Sequence, residues 1–142
     1  MKSTIKTLNK QIKSYSYNKV YNTLLLMNVE ISFENLTKLF PNVDSINLHS
    51  FLVYCLSKKA TPKIYIAICE NYLYVVPRIE DVYAPIYYYM SQAMKLFPND
   101  KIIADWVITT FSGDPSSPFS DNELNNIRDS LTEEPIRGRF SD

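Results

Sequence analysis

Glycine most restricts what this chain can fold into. The 142 residues contain two glycines, Gly113 and Gly138, against eight prolines. Sandwiches and barrels need many tight turns at positive φ, which hairpins ordinarily fill with glycine. A nucleotide-binding α/β fold needs glycine where the backbone approaches phosphate. Neither requirement is met. Helices joined through Pro, Asn, Asp and Ser satisfy the sequence more simply. The length suits one domain, and a hydrophobic fraction of 46% is enough to fill its core.

Periodicity supports about seven or eight short helices packed as hairpins. Ile5, Leu8, Ile12 and Tyr15 repeat at helical spacing with lysines between them, and Ser3 or Thr4 is a candidate cap. A second helix carries Val20, Tyr21, Leu24, Leu25 and Met27. A short third follows Ser32 and stops at Pro41. A fourth, capped by Asp44 or Ser45, is expected to bury Ile46, Leu48, Leu52, Val53 and Leu56.

Thr61-Pro62 reads as an N-cap followed by proline at the first helical position. The following segment, Ile64–Cys69 and Tyr72–Val76, is rich in β-branched and aromatic residues. Propensity alone makes 63–76 a β-hairpin, which would give an α+β fold. The start signal and the absence of glycine at Glu70-Asn71 favour a buried helix, and with it an all-α chain.

A long helix is then expected through Tyr87, Met90, Ala93, Met94 and Phe97. Another, capped by Asn99 or Asp100, would bury Ile102, Ile103, Trp106, Val107 and Phe111 and end at Gly113. Ser120-Asp121-Asn122-Glu123 is a capping box opening a last helix over Leu124, Ile127 and Leu131. The domain is expected to span 1–131, with 132–142 a flexible or partner-ordered tail. Lys38-Leu39-Phe40-Pro41-Asn42 recurs as Lys95-Leu96-Phe97-Pro98-Asn99. This is either a repeat-like unit or the same helix-stop chemistry used twice.

Catalytic equipment is sparse. His49 is the one histidine and lies in an apolar helix, where a structural role is the ordinary one. Cys55 and Cys69 read as small, reduced, buried hydrophobes, and no metal-ligand spacing accompanies them. The adjacent pairs Glu80-Asp81 and Glu133-Glu134 would point about 100° apart on a helix, as solvated charge rather than a carboxylate dyad. The expectation is a protein without catalytic activity and without a metal or cofactor. No signal-peptide pattern or membrane span is evident, so a cytoplasmic location and no membrane partner are expected.

Charge is zero overall but uneven. Residues 1–28 hold five lysines and no acid, whereas 96–142 hold nine acids against four bases. Arginine is missing from residues 1–77, and the acidic end would repel a polyanion, so nucleic acid is the less favoured partner. Tyrosine is the more suggestive residue, at eleven. Three in succession, Tyr87, Tyr88 and Tyr89, cannot all face one core, and interfaces favour tyrosine for its large area and polar tip.

In size, helical content, scarcity of glycine and histidine, and acidic-aromatic character, the chain resembles the small all-α immunity proteins of bacterial contact-dependent toxin systems. No diagnostic motif accompanies that likeness. The resemblance implies a protein-binding antitoxin that masks the active site of a basic toxin domain, such as a nuclease. The candidate partner-binding residues are Glu80, Asp81, Tyr83, Tyr87, Tyr88, Asp121, Glu123, Asp129, Glu133 and Glu134. The alternatives are a helical-repeat adaptor that binds a peptide, or a nucleic-acid-associated regulator using the amino-terminal lysines.

Overall fold

The computed structural model describes residues 2–74 and 81–141, those from 132 onward as backbone alone. Within that range the chain is all-α. Its helices are α1 (Lys2–Lys13), α2 (Tyr17–Leu26), α3 (Phe33–Leu39), α4 (Ser45–Lys58), α5 (Pro62–Tyr74), α6 (Tyr83–Leu96), α7 (Lys101–Phe111) and α8 (Asp121–Ser141). They fall into two compact units, Met1–Val82 and Tyr83–Asp142. The carboxy-terminal segment 132–142 lies almost wholly in the part of α8 described as backbone.

In the first unit α1, α2 and α4 pack pairwise, and α5 lies against α3 and α4. The segment open to a hairpin reading is the helix α5. Thr61 caps it, its Oγ accepting from the Ile64 N–H at 3.2 Å. Ile64 to Cys69 are all buried, so the helix is enclosed on every side and shows no amphipathic period. Tertiary burial overrides β-propensity here. The last two residues of the ambiguous stretch, Val75 and Val76, lie outside the described residues.

The α4 expectation needs correcting. Its buried stripe is Leu48, Phe51, Leu52 and Cys55 at i, i+3, i+4 and i+7. Ile46 and Val53 sit on the opposite side, and Ile46 is 69% exposed. Leu25 and Ile102 are likewise exposed, each one step around its helix from a fully packed neighbour, Leu24 and Ile103. Tyr15 does not extend the α1 apolar face at all. Its φ is +62° and it is 70% exposed.

Tyr15 instead ends α1. Its N–H donates to the Ile12 carbonyl and the Ser16 N–H to the Gln11 carbonyl, the paired bonds of a Schellman stop. Asn28 ends α2 in the same way, with its own N–H on Leu25 and that of Val29 on Leu24. Positive φ also occurs at Asp81, Asn99 and Gly113. A glycine-poor chain thus still needs left-handed positions and fills them chiefly with Asn and Asp, whose short polar side chains tolerate that region.

The recurring Lys-Leu-Phe-Pro-Asn element makes the same pair of backbone hydrogen bonds in both copies, although only the second has its asparagine, Asn99, at positive φ. Phe40 donates to Leu36 and accepts from Val43, and Phe97 donates to Ala93 and accepts from Asp100. The packing around the two copies differs: α3 lies against α5, whereas α6 lies against α7. Shared stop chemistry accounts for the recurrence without a stacked repeat.

In the second unit Phe111 is fully buried at the end of α7. The rings of Tyr83, Trp106 and Phe119 surround it at centroid distances of 5.4, 6.0 and 5.4 Å. Asp100 caps α7 through the Ile103 N–H at 3.1 Å. Among the described residues no helix is long and apolar enough to cross a membrane.

Candidate functional site

The division into units sharpens the charge asymmetry. The first holds ten basic and six acidic residues, and the second five basic and nine acidic, giving formal charges of +4 and −4. Seven of the ten sequence-selected residues have described side chains. Glu80 lies outside the described residues, and the side chains of Glu133 and Glu134 do as well. Asp81 belongs to the end of the first unit, exposed and with φ +57°. The other six lie in the acidic unit.

Those six divide into two kinds by what their polar atoms do. The Tyr83 hydroxyl donates to Asp114 Oδ2 at 2.7 Å, and the Tyr87 hydroxyl to Glu123 Oε2 at 2.7 Å. Tyr83 and Tyr87 are one helical turn apart, so both reach toward the segment after α7 and the start of α8. Glu123 also accepts the Ser120 N–H at 3.0 Å, while its own N–H donates to Ser120 Oγ at 3.1 Å. The capping box therefore forms as its spacing predicts. The Ser120 N–H and the Tyr87 hydroxyl hold the Glu123 carboxyl below its ordinary value. Donation to Asp114 raises Tyr83, and donation to Glu123 raises Tyr87, by stabilising their neutral phenols.

Tyr88 and the α8 aspartates are different. Tyr88 is 59% exposed, with a 3.4 Å contact from Gln92 Nε2 and an edge-on ring contact with Tyr89, so it is the exposed member of the tyrosine run. Asp121 and Asp129 are exposed. With Asn125 they form an i, i+4, i+8 ridge on α8, away from buried Leu124. Arg128 is held by Asn125 Oδ1 at 3.1 Å and Ser112 Oγ at 3.0 Å, fastening α8 to the end of α7.

Asp114 is the residue sequence reasoning missed. Its Oδ1 accepts the Ser116 N–H at 2.8 Å, an Asx turn that Asp-Pro-Ser could have signalled. Its bond to Tyr83 joins residues far apart in sequence and leaves no local trace.

A cavity of about 250 Å³ lies in the same unit, lined by Met94, Phe97, Asp100, Ala104 and Ile127 among others. His49 Nε2 lies 3.5 Å from the Tyr72 hydroxyl, and burial lowers its pKa. Both cysteines are buried and reduced. Burial pushes the Cys55 thiol up to about 12 and that of Cys69 up as well, so neither ionises near neutrality. Among the described residues no three His, Cys, Asp or Glu side chains converge on a metal position. No family model matches this chain, and no curated protein or solved structure is similar to it.

Proposed function

We propose that the chain is a non-catalytic binding protein whose acidic carboxy-terminal unit masks a basic surface on a partner protein. The observation that supports this reading is the α8 ridge. Asp121 and Asp129 are exposed and engage no cation among the described residues, within a unit of net charge −4. Exposed carboxylates of this kind steer association with a cationic surface and can occupy a phosphate site. Tyr88 supplies an aromatic surface within the same unit. The likeness to immunity proteins gives the partner a class, a toxin domain with a basic active site.

Co-expression with a toxin domain encoded beside this protein tests the reading, with cell growth as readout. Rescue of growth is expected, and Asp121→Lys with Asp129→Lys should abolish it. Glu123 is a poor choice for charge reversal, because it caps α8 and holds Tyr87. Full rescue by the double variant would overturn the acidic mask, and absence of rescue by the unaltered chain would overturn the antitoxin reading.

A further inference from the structure

The packing of the first unit gathers something the linear sequence does not show. The three helices that pack pairwise there, α1, α2 and α4, contain no acidic residue between them. They carry Lys2, Lys6, Lys10, Lys13, Lys19 and Lys58. Lys2, Lys6, Lys10 and Lys13 are all exposed and fall within about 80° of arc on α1, in a row about 16 Å long. Their side is opposed to Leu8 and Ile12, which are buried. Two of the carboxylates nearest in sequence to these helices are engaged by lysines outside the row. Glu30 pairs with Lys63 at 2.9 Å and Glu34 with Lys38 at 3.0 Å. Asp44 stands at the start of α4, exposed and without a cap bond.

A second observation lies at the end of the same row. Tyr15, two residues beyond Lys13, presents its ring to solvent from a left-handed backbone conformation. An aromatic residue there costs about 1–2 kcal/mol that glycine or asparagine would largely avoid. Its only described ring neighbour is Tyr17, edge-on at 6.4 Å. Strain retained at an exposed aromatic two residues past the last lysine of the row points to use of that ring.

We propose that the α1 lysine row and Tyr15 form a binding surface for single-stranded nucleic acid, with phosphates along the lysines and a base stacked on Tyr15. This does not rest on the acidic-mask reading, which concerns the other unit. Cations along a backbone track with an aromatic platform are the two elements of single-strand binding. Phosphate contacts and stacking on a single ring carry no base code, so binding is expected without strong sequence preference. An anionic membrane fits less well, since Leu8 and Ile12 are enclosed in the core and α1 has no apolar face left to insert.

Fluorescence anisotropy of the full chain with a labelled fifteen-nucleotide oligothymidylate tests this. Four phosphate contacts give a slope of log K against log salt of about −3, which is an affinity loss of about fiftyfold between 50 and 200 mM salt. Lys6→Glu, Lys10→Glu and Lys13→Glu together should abolish binding with the far-UV circular dichroism unchanged. Tyr15→Ala should weaken it about tenfold at an unchanged salt slope, and Tyr15→Phe should restore it. Absence of saturable binding at 50 mM salt, or unchanged affinity in the lysine variant, would overturn the proposal. So would equal affinity for a duplex of the same length, an unaltered Kd for Tyr15→Ala, or binding to phosphatidylserine vesicles with none to the oligonucleotide.

Discussion

In the amino-terminal unit three polar links between helices run from asparagine side chains to backbone carbonyls, whereas in the carboxy-terminal unit two run from tyrosine hydroxyls to carboxylates. Asn9 reaches the Leu39 carbonyl, Asn47 that of Ile12 and Asn71 that of Ser45, at 2.9, 3.1 and 2.9 Å. Tyr83 and Tyr87 instead engage Asp114 and Glu123. The first set is neutral and serves helix ends; Asn9 and Asn47 are half-buried and Asn71 is only 1% exposed. The second set is charge-assisted and part-buried. These links in the basic unit are uncharged, and its α1 lysines stay exposed. The acidic unit draws part of its charge into its own structure and leaves Asp121 and Asp129 exposed.

The largest effects should come from each unit's central ring. Phe51 and Phe111 are both fully buried, and replacing either with alanine should cost about 3–5 kcal/mol in chemical denaturation. The one tryptophan, Trp106, separates the two cases because it packs against Phe111. Native-state emission should shift in Phe111→Ala and remain unchanged in Phe51→Ala. A shift of equal size in both variants would break the picture of two separately packed cores.

Capping gives a smaller and sharper contrast. Thr61→Ala and Ser120→Ala each remove one cap bond, at a cost of about 1 kcal/mol read from thermal unfolding. Only the second disturbs a carboxylate. In Ser120→Ala the Glu123 titration, followed by NMR, should move up toward its ordinary value as the box loosens. An unmoved titration would mean that the backbone N–H at position 120 and the Tyr87 hydroxyl hold Glu123 without the Oγ cap.

Tyr15 should give a gain. Tyr15→Gly relieves the left-handed strain and should raise stability by about 1 kcal/mol, despite loss of the edge contact to Tyr17. The opposite sign would show that the ring contributes more to the fold than its exposure suggests.

What the sequence made legible follows from the range of the interactions. Caps and stops are local, so Thr61-Pro62, Ser120 to Glu123 and the Phe-Pro-Asn stops could be read directly. The all-α class followed from scarce glycine and periodic apolar residues. Ile46 and Val53 were misplaced because an apolar residue does not declare its direction when a helix is apolar on several sides. Tyr15 was misplaced because its spacing continues the α1 pattern one turn beyond the point where the backbone reverses. Among the candidate residues, the sequence identified exposed Tyr88, Asp121 and Asp129 together with the internally bonded Tyr83, Tyr87 and Glu123. Only tertiary geometry separates the two groups, and only helix packing reveals the acid-free set of α1, α2 and α4.

The smallest effect expected is a difference in how the units respond to acid. Burial lowers the pKa of His49 in the first unit, so the unfolded chain binds more protons as pH falls below the ordinary histidine value of 6.5. Stability of that unit therefore declines from there downward and levels off below the folded pKa. Glu123 in the second unit is held low by Ser120 and Tyr87. Its contribution is complete above the ordinary glutamate value of 4.5 and is lost as pH falls through the folded pKa. Between about pH 6.5 and 4.5, then, hydrogen-exchange protection should decrease in α4 and α5 while α7 and the start of α8 keep theirs, with Trp106 emission steady. His49→Gln should remove the first unit's slope in this window. A slope that survives the substitution would assign it to another group, and loss of protection in α7 at the same pH would show that the acid response is shared between the two units.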